Sequence, residues 1–188
     1  MENQILDHIA LVVKSVDKIA RKFGDLGCQI GEFQEFPNEG TREVYIGDEN
    51  QFGKILLMQP ISEGAYFSAL KKRGEGLHHI AIRVKKIEKY LESLAGSGWN
   101  LHLKSLETYQ TGKTVWLTRL DVKTLIEVFE SEIPNTNEFL VSEIRLLNSP
   151  TKPRIFESLK ISQIIPHNFD SVILNIGRKS LSVSEILE

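Results

Sequence analysis

The tripeptide His-Ile-Ala occurs twice in apolar surroundings, in Leu6-Asp7-His8-Ile9-Ala10-Leu11-Val12-Val13 and in Gly76-Leu77-His78-His79-Ile80-Ala81-Ile82-Arg83-Val84. His8 and His79 are 71 positions apart. The same offset carries Leu56, in Lys54-Ile55-Leu56-Leu57-Met58, onto Glu127, in Thr124-Leu125-Ile126-Glu127-Val128-Phe129. Two separated segments that share one offset read as an internal duplication, so the chain is expected to fold as two copies of one unit. The polar residues that the duplication sets inside apolar runs are His8, His79 and Glu127, all of metal-ligand type.

Periodicity and punctuation give the order of elements within each copy. Residues 6–13 read as a strand. Ser15 caps the helix that follows, with Asp17 in its first turn, and Val16, Ile19, Ala20, Phe23 and Leu26 recur at helical spacing before Gly27 ends it. Extended runs follow at 28–36, 41–46 and 54–59, separated by the turn sequences Pro37-Asn38-Glu39-Gly40 and Gly47-Asp48-Glu49-Asn50. A linking helix at 62–72 exits through Gly74 and Gly76. The order then repeats, with a strand at 76–84, a helix at 87–94, and strands at 99–106, 112–120 and 124–130. The prediction is an α+β domain over residues 1–131, built from two tandem βαβββ modules at about 5–60 and 76–130.

Beyond that the repeat stops. Residues 132–188 form a C-terminal extension with no readable role, cut into short pieces by Pro134, Pro150, Pro153 and Pro166. A hairpin is expected from 171–176 and 181–187 around Gly177-Arg178-Lys179. Apolar residues such as Phe139, Ile144, Ile155 and Phe156 argue that the extension is ordered.

Composition excludes several classes. Acids and bases are interspersed with a net charge of -2, so no nucleic-acid partner is expected, and Lys71-Lys72-Arg73 reads as a solvated helix end. Cys28 is the only cysteine, which rules out an intrachain disulfide framework and a cysteine-based zinc site. No apolar run approaches the roughly 20 residues that span a bilayer. The polar opening residues lead straight into the first strand without room for a signal peptide, so a cytoplasmic protein away from membranes is expected.

Side chains alternate across a strand, which places His8, Ala10 and Val12 on one face. His79, Ala81 and Arg83 share a face in the second copy, as do Leu125, Glu127 and Phe129 in the last strand. If the modules pack about a pseudo-twofold axis, positions 8, 56, 79 and 127 converge. Three of them carry ligand types, a two-histidine, one-carboxylate set with open positions. Plainer readings exist: a histidine in an apolar strand can be a hydrogen-bonded core residue, and Glu127 can pair with a buried base such as Arg83. An unpaired buried carboxylate, however, is costly, and the shared offset ties the three residues together.

At these residues the chain resembles the vicinal-oxygen-chelate superfamily, which has the glyoxalase fold, and within it the methylmalonyl-CoA epimerases. The resemblance spans about 5–130 and rests on Asp7-His8-Ile9-Ala10, Leu57-Met58-Gln59-Pro60, Gly74-Glu75-Gly76-Leu77-His78-His79 and Leu125-Ile126-Glu127-Val128. It implies a curved sheet cup holding one divalent metal ion (Co, Zn, Ni, Mn or Fe), with His8, His79 and Glu127 as three of four ligands. The fourth, normally Gln or Glu, falls on Leu56, which has no electron pair to donate. Gln59 does not replace it, since by strand parity it points to the other face.

The resemblance further implies an isomerase or lyase that moves a proton next to a thioester carbonyl. Glu127 and Glu43 would be its catalytic carboxylates, and an acyl-CoA or a glutathione thiohemiacetal its small-molecule substrate, in a homodimer. Glu43 also reads as an exposed strand residue beside Arg42. Where the epimerases often carry a His-Pro turn, this chain has Arg119-Leu120-Asp121-Val122. Other members of the superfamily imply a lactoylglutathione lyase-like enzyme or a ring-cleaving Fe(II) dioxygenase, the latter drawing further acids from His78, Tyr45, Tyr109 and His102. A metal-free binding protein is the remaining alternative, and Leu56 suits it.

Overall fold

The computed structural model describes residues 4–120, 122–133, 138–147, 155–168 and 171–188. Asp121, Pro134, Pro150 and Pro153, and the first three residues of the polar opening, lie outside the described residues. At the centre, β1 (Gln4–Val12) runs antiparallel to β5 (Gly76–Val84). Both strands read as near-continuous apolar runs because both faces are covered, and every residue of β1 after Gln4 is buried.

Each central strand carries the rest of its module outward. On one side lie β4 (Lys54–Pro60), β3 (Thr41–Ile46) and β2 (Gln34–Phe36); on the other lie β8 (Val122–Glu130), β7 (Thr114–Arg119) and β6 (Asn100–Leu101). The result is one eight-stranded sheet in the order β2-β3-β4-β1-β5-β8-β7-β6. The duplication is exact in register: β1 pairs parallel with β4 at Ala10 and Leu56, and β5 pairs parallel with β8 at Ala81 and Glu127, both partners displaced by 71.

The two faces of the sheet differ. Ile9 and Leu11 of β1, with Ile80 and Ile82 of β5, enter the main core beneath α1 (Val16–Asp25) and α3 (Ile87–Ser93). Helix α1 starts where Ser15 accepts from the Lys18 amide at 3.3 Å, and it buries Val16, Ile19, Ala20 and Phe23. Ala10 and Val12 face the other way, into a smaller apolar cluster with Leu56, Met58 and Tyr66. Tyr66 comes from the linking helix α2 (Ala65–Arg73).

The C-terminal extension builds a second sheet. Its strands β9 (Val141–Leu147), β10 (Ile164–His167), β11 (Ser171–Ile176) and β12 (Lys179–Ser182) lie in the order β10-β9-β11-β12. Ile144, Ile155, Phe156, Leu159 and Leu174 belong to the same core cluster as the modules. The Trp99 indole donates to the Ile155 carbonyl at 3.4 Å, and the Tyr90 hydroxyl to the Leu159 carbonyl at 3.2 Å. At the other seam Leu140 donates its amide to Phe52 O at 3.0 Å. Gly53 has φ +58° there, and a Cβ would sit a tight 3.3 Å from both the Phe139 ring and the Val141 carbonyl, so glycine is favoured at this seam.

Four expectations need correction. The strand expected at 28–36 is limited to β2, with Ile30 making an isolated bridge to Ile46; β2 is a wholly exposed edge with no packing to extend it. The strand expected at 99–106 is two residues of β6, and a helix, α4 (Ser105–Gly112), follows. Leu101, Leu103 and Leu106 are all exposed, so no apolar face holds the segment in a sheet, while the buried Ser105 hydroxyl donates to the Trp116 carbonyl at 3.0 Å and accepts its amide at 2.9 Å. The second hairpin arm stops at Ser182, whose capping box with Glu185 opens α5 (Val183–Leu187). Pro166 does not break the chain but lies within β10, an edge strand where its missing amide costs nothing.

Because Phe156 is fully buried against Trp99 at the seam between extension and modules, Phe156→Ala should cost about 3–5 kcal/mol of unfolding free energy, read by urea denaturation. A loss below about 1 kcal/mol would mean that the extension does not share the core.

Candidate metal centre

Strand alternation is broken at two related places. In the β1–β5 pairing Leu6 faces Ile82 and His8 faces Ala81, so Asp7 is an extra residue in β1. Ala10 faces His79 and Leu11 faces Leu77, so His78 is an extra residue in β5. Asp7 and His78 are themselves 71 apart, and the duplication has therefore copied a β-bulge. The bulge lets Asp7 and His8 both line the cup, while Leu6, just before it, turns back into the main core.

The structure brings His8, His79 and Glu127 together. Glu127 Oε2 lies 3.8 Å from His8 Nε2 and 3.5 Å from His79 Nε2, and one ligand atom from each residue falls within 4.8 Å of the others. Both Nε2 atoms are buried and have no hydrogen-bond partner. Buried polar atoms left without partners are rare and costly. A divalent cation, coordinated at about 2.0–2.2 Å by imidazole nitrogen and carboxylate oxygen, satisfies all three groups at once. The donor set fits such an ion.

Each histidine is oriented from behind by the bulge residue that precedes it. His8 Nδ1 lies 2.8 Å from Asp7 Oδ2. Asp7 Oδ1 in turn accepts from Arg83 Nε at 2.9 Å and lies 2.6 Å from Arg83 Nη2. The Arg83 guanidinium packs on the rings of Phe52 and Phe129 at 4.9 and 5.4 Å, and it also donates to the Glu132 carbonyl at 3.4 Å. Arg83 thus binds Asp7, not Glu127. On the second side His78 Nδ1 and His79 Nδ1 are 3.1 Å apart, so one must donate and the other accept. Ligation through His79 Nε2 requires the proton on His79 Nδ1, with His78 accepting.

Charge follows the same logic. Burial opposes ionisation of Asp7, but His8 and Arg83 outweigh it and hold the carboxyl below its ordinary range. Burial likewise opposes ionisation of Glu127, yet His79 and His8 beside it keep it an anion. Burial pushes the His79 imidazole toward its neutral form and, with the nearby charge of Arg73, drives His78 down to about 3. A neutral imidazole at His79 beside an ionised Glu127 is what a metal ion needs of those two ligands.

The remaining candidates separate cleanly. Leu56 is buried at the cup wall, in the register position of Glu127, and brings no donor. Gln59 faces the other side, accepting the Val16 amide at 3.0 Å at the start of α1. Glu43 is buried rather than exposed, accepts the Thr41 hydroxyl at 2.7 Å and lines the same cup. Its carboxyl is pushed up, first by burial and then by neighbouring Glu39. Tyr45 packs edge-on to His8 at 5.4 Å, whereas Tyr109 bonds Glu88 and His102 accepts the Lys104 amide at 3.2 Å, both outside the cup. Sequence reasoning missed Asp7, Arg83 and His78 as orienting groups and Trp116, which packs on His79 at 5.0 Å. The available signal was the doubled polar pair, Asp7-His8 and His78-His79, which alternation alone does not permit in a one-sided strand.

Orienting partners of ligating histidines are worth roughly 10–100-fold in metal affinity. Arg83→Met should therefore weaken Co²⁺ binding by about tenfold or more in a calorimetric titration. Leu56→Glu, which restores a donor at the fourth position, should tighten it. Unchanged affinity in both variants, with the fold intact by circular dichroism, would contradict the site as described.

The cup encloses about 600 Å³. The sequence model of the Glyoxalase/Bleomycin resistance protein/Dioxygenase superfamily matches residues 7–116, more than half of the chain. No curated protein matches the chain. Among solved structures, a hypothetical protein from Bacillus halodurans is 26% identical, with a TM-score of 0.59 over 72% of this chain and 100% of that one. The methylmalonyl-CoA epimerase from Mycobacterium tuberculosis is 23% identical, with a TM-score of 0.55 over 68% of this chain and 88% of its own. A methylmalonyl-CoA epimerase in complex with methylmalonyl-CoA and NH4+ is 18% identical, with a TM-score of 0.55 over 73% and 99%. The likeness to the epimerases establishes a shared fold, and the matched sequence model establishes descent: the chain belongs to the glyoxalase/bleomycin resistance protein/dioxygenase superfamily.

Proposed function

We propose that this protein is a divalent-metal-dependent isomerase or lyase that transfers a proton at the carbon next to a thioester carbonyl. One observation carries the reading. Two carboxylates line one cup with opposite protonation tendencies, Glu127 held ionised by His79 and His8 and Glu43 pushed toward its acid form by burial. An acid and a base in one cavity are what proton transfer on two faces of a carbon requires. The fold shared with methylmalonyl-CoA epimerases supports an acyl-CoA as the substrate class.

In this reading His8, His79 and Glu127 hold the cation, which when bound stabilises the negative charge that develops on the carbonyl oxygen. Asp7 and Arg83 keep the His8 ring in place, and His78 does so for His79. Glu43, whose carboxyl burial pushes up, lines the cup where it can pass a proton to the reacting carbon or take one from it. Leu56, Met58 and Tyr66 form the apolar side of the cavity, which excludes water and receives the alkyl branch of the acyl group. A metal-free binding cup is the second reading, favoured by Leu56 in place of a fourth donor.

Incubation of the cobalt-loaded protein with a 2-methyl-branched acyl-CoA in deuterated water should place deuterium at the carbon beside the thioester, seen by mass spectrometry. Glu127→Gln should remove this exchange. Glu43→Gln should slow interconversion of the two epimers by roughly 10²–10⁴-fold while leaving metal content unchanged. No exchange in the wild type across several acyl-CoAs would favour the binding-cup reading, and an unimpaired Glu43→Gln would take Glu43 out of the mechanism.

A further inference from the structure

A second cavity, of about 500 Å³, opens between the C-terminal extension and the ends of the central strands. Leu11 and Leu77 form its wall on the sheet side, and Val172, Val183 and Leu187 form the wall on the extension side. Around this interior of mixed polar and apolar character stand three cations: Lys72 and Arg73 at the end of α2, and Lys123 on β8. Glu75 is the acid in the lining, and its carboxylate already accepts the Lys14 amide at 2.7 Å. None of the three cations forms an ion pair among the described residues.

The negative end of the α2 dipole accounts for Lys72 and Arg73 in its last turn. It does not account for Lys123, which comes from a different element fifty residues on and whose own carbonyl accepts from Arg73 Nη1 at 3.4 Å. Three like charges on one cavity mouth set up a positive potential that favours an anion there. The volume lies within the range of small-molecule pockets. The extension supplies one wall of the cavity, and neither that wall nor Lys123 falls within the residues matched by the superfamily model.

We infer that this cavity is a second binding site, for a small amphipathic anion whose carboxylate or phosphate head meets Lys72, Arg73 and Lys123 while its alkyl chain lies against Leu77 and Leu187. The site is separate from the cup and does not depend on the reaction assigned to it. The two cavities share a boundary at His78, which lines this one and contacts the metal-site residue His79.

Isothermal titration of the full chain with sodium octanoate, octyl phosphate and the uncharged 1-octanol tests the assignment. At least one of the two anions should bind saturably, at one equivalent and at least tenfold more tightly than octanol; whichever binds tighter identifies the head group. The double charge reversal Lys72→Glu with Lys123→Glu, both on exposed side chains, should weaken that binding at least tenfold. Ser184→Trp, which fills the cavity from the extension side, should do the same by a different route. Reversal of the cup cations, Lys54→Glu with Lys104→Glu, should change it less than twofold. No saturable binding of either anion, equal binding of octanol, or loss of binding in the cup variant but not in the cavity variants would overturn the assignment.

Discussion

The antiparallel pairing of β1 with β5 governs everything else in this molecule, because it sets two copies of one module face to face about an axis through Ile9 and Ile80. Once that register is fixed, His8 and His79 must lie diagonally across the axis. The parallel partners β4 and β8 must then bring Leu56 and Glu127 to equivalent positions. A slip of one residue would turn every histidine into the apolar core and every isoleucine into the cup. The register is held because Ile9, Leu11, Ile80 and Ile82 have no exposed alternative, being wholly buried beneath α1 and α3.

The paired bulges add what simple alternation cannot supply. An extra residue before each histidine gives it a polar neighbour on its own side of the sheet, Asp7 for His8 and His78 for His79. The copies have diverged in chemistry while keeping the geometry: a carboxylate anchored by Arg83 on one side, a neutral imidazole under Tyr66 on the other. The same divergence separates Leu56 from Glu127. One half of the cup carries the cluster of His8, His79 and Glu127; the other is apolar around Leu56, Met58 and Tyr66. Setting the buried Asp7 and Glu43 beside the half-buried Glu127 carries a desolvation penalty, which a fold under no functional demand would shed by apolar replacement.

Much of this was legible in the sequence because the duplication and the period-two pattern are local and strong. The offset shared by His8, His79, Leu56 and Glu127 foretold which residues meet, and strand parity correctly sent Gln59 to the opposite face. What stayed hidden depends on long-range partners. The α4 segment has too short an apolar pattern to announce a helix, and the bonds that tie Ser105 at its start to Trp116 come from a strand eleven residues on. The extension has no repeat to read against. Its sheet exists because Trp99, Tyr90 and Phe52 of the modules offer it partners far away in sequence. The role of Arg83 was hidden for the same reason, since its anchor Asp7 lies 76 residues earlier and is turned inward only by the bulge.

The central claim is that the duplicated histidines and Glu127 form one divalent-metal site. X-ray absorption spectroscopy at the cobalt edge, on protein loaded with one equivalent of Co²⁺, tests it most directly. The account predicts outer-shell scattering from two imidazoles, reduced to one in His79→Ala, with the remaining ligands oxygen and none sulfur. A spectrum of oxygen ligands alone, or one indifferent to His79→Ala, would contradict it.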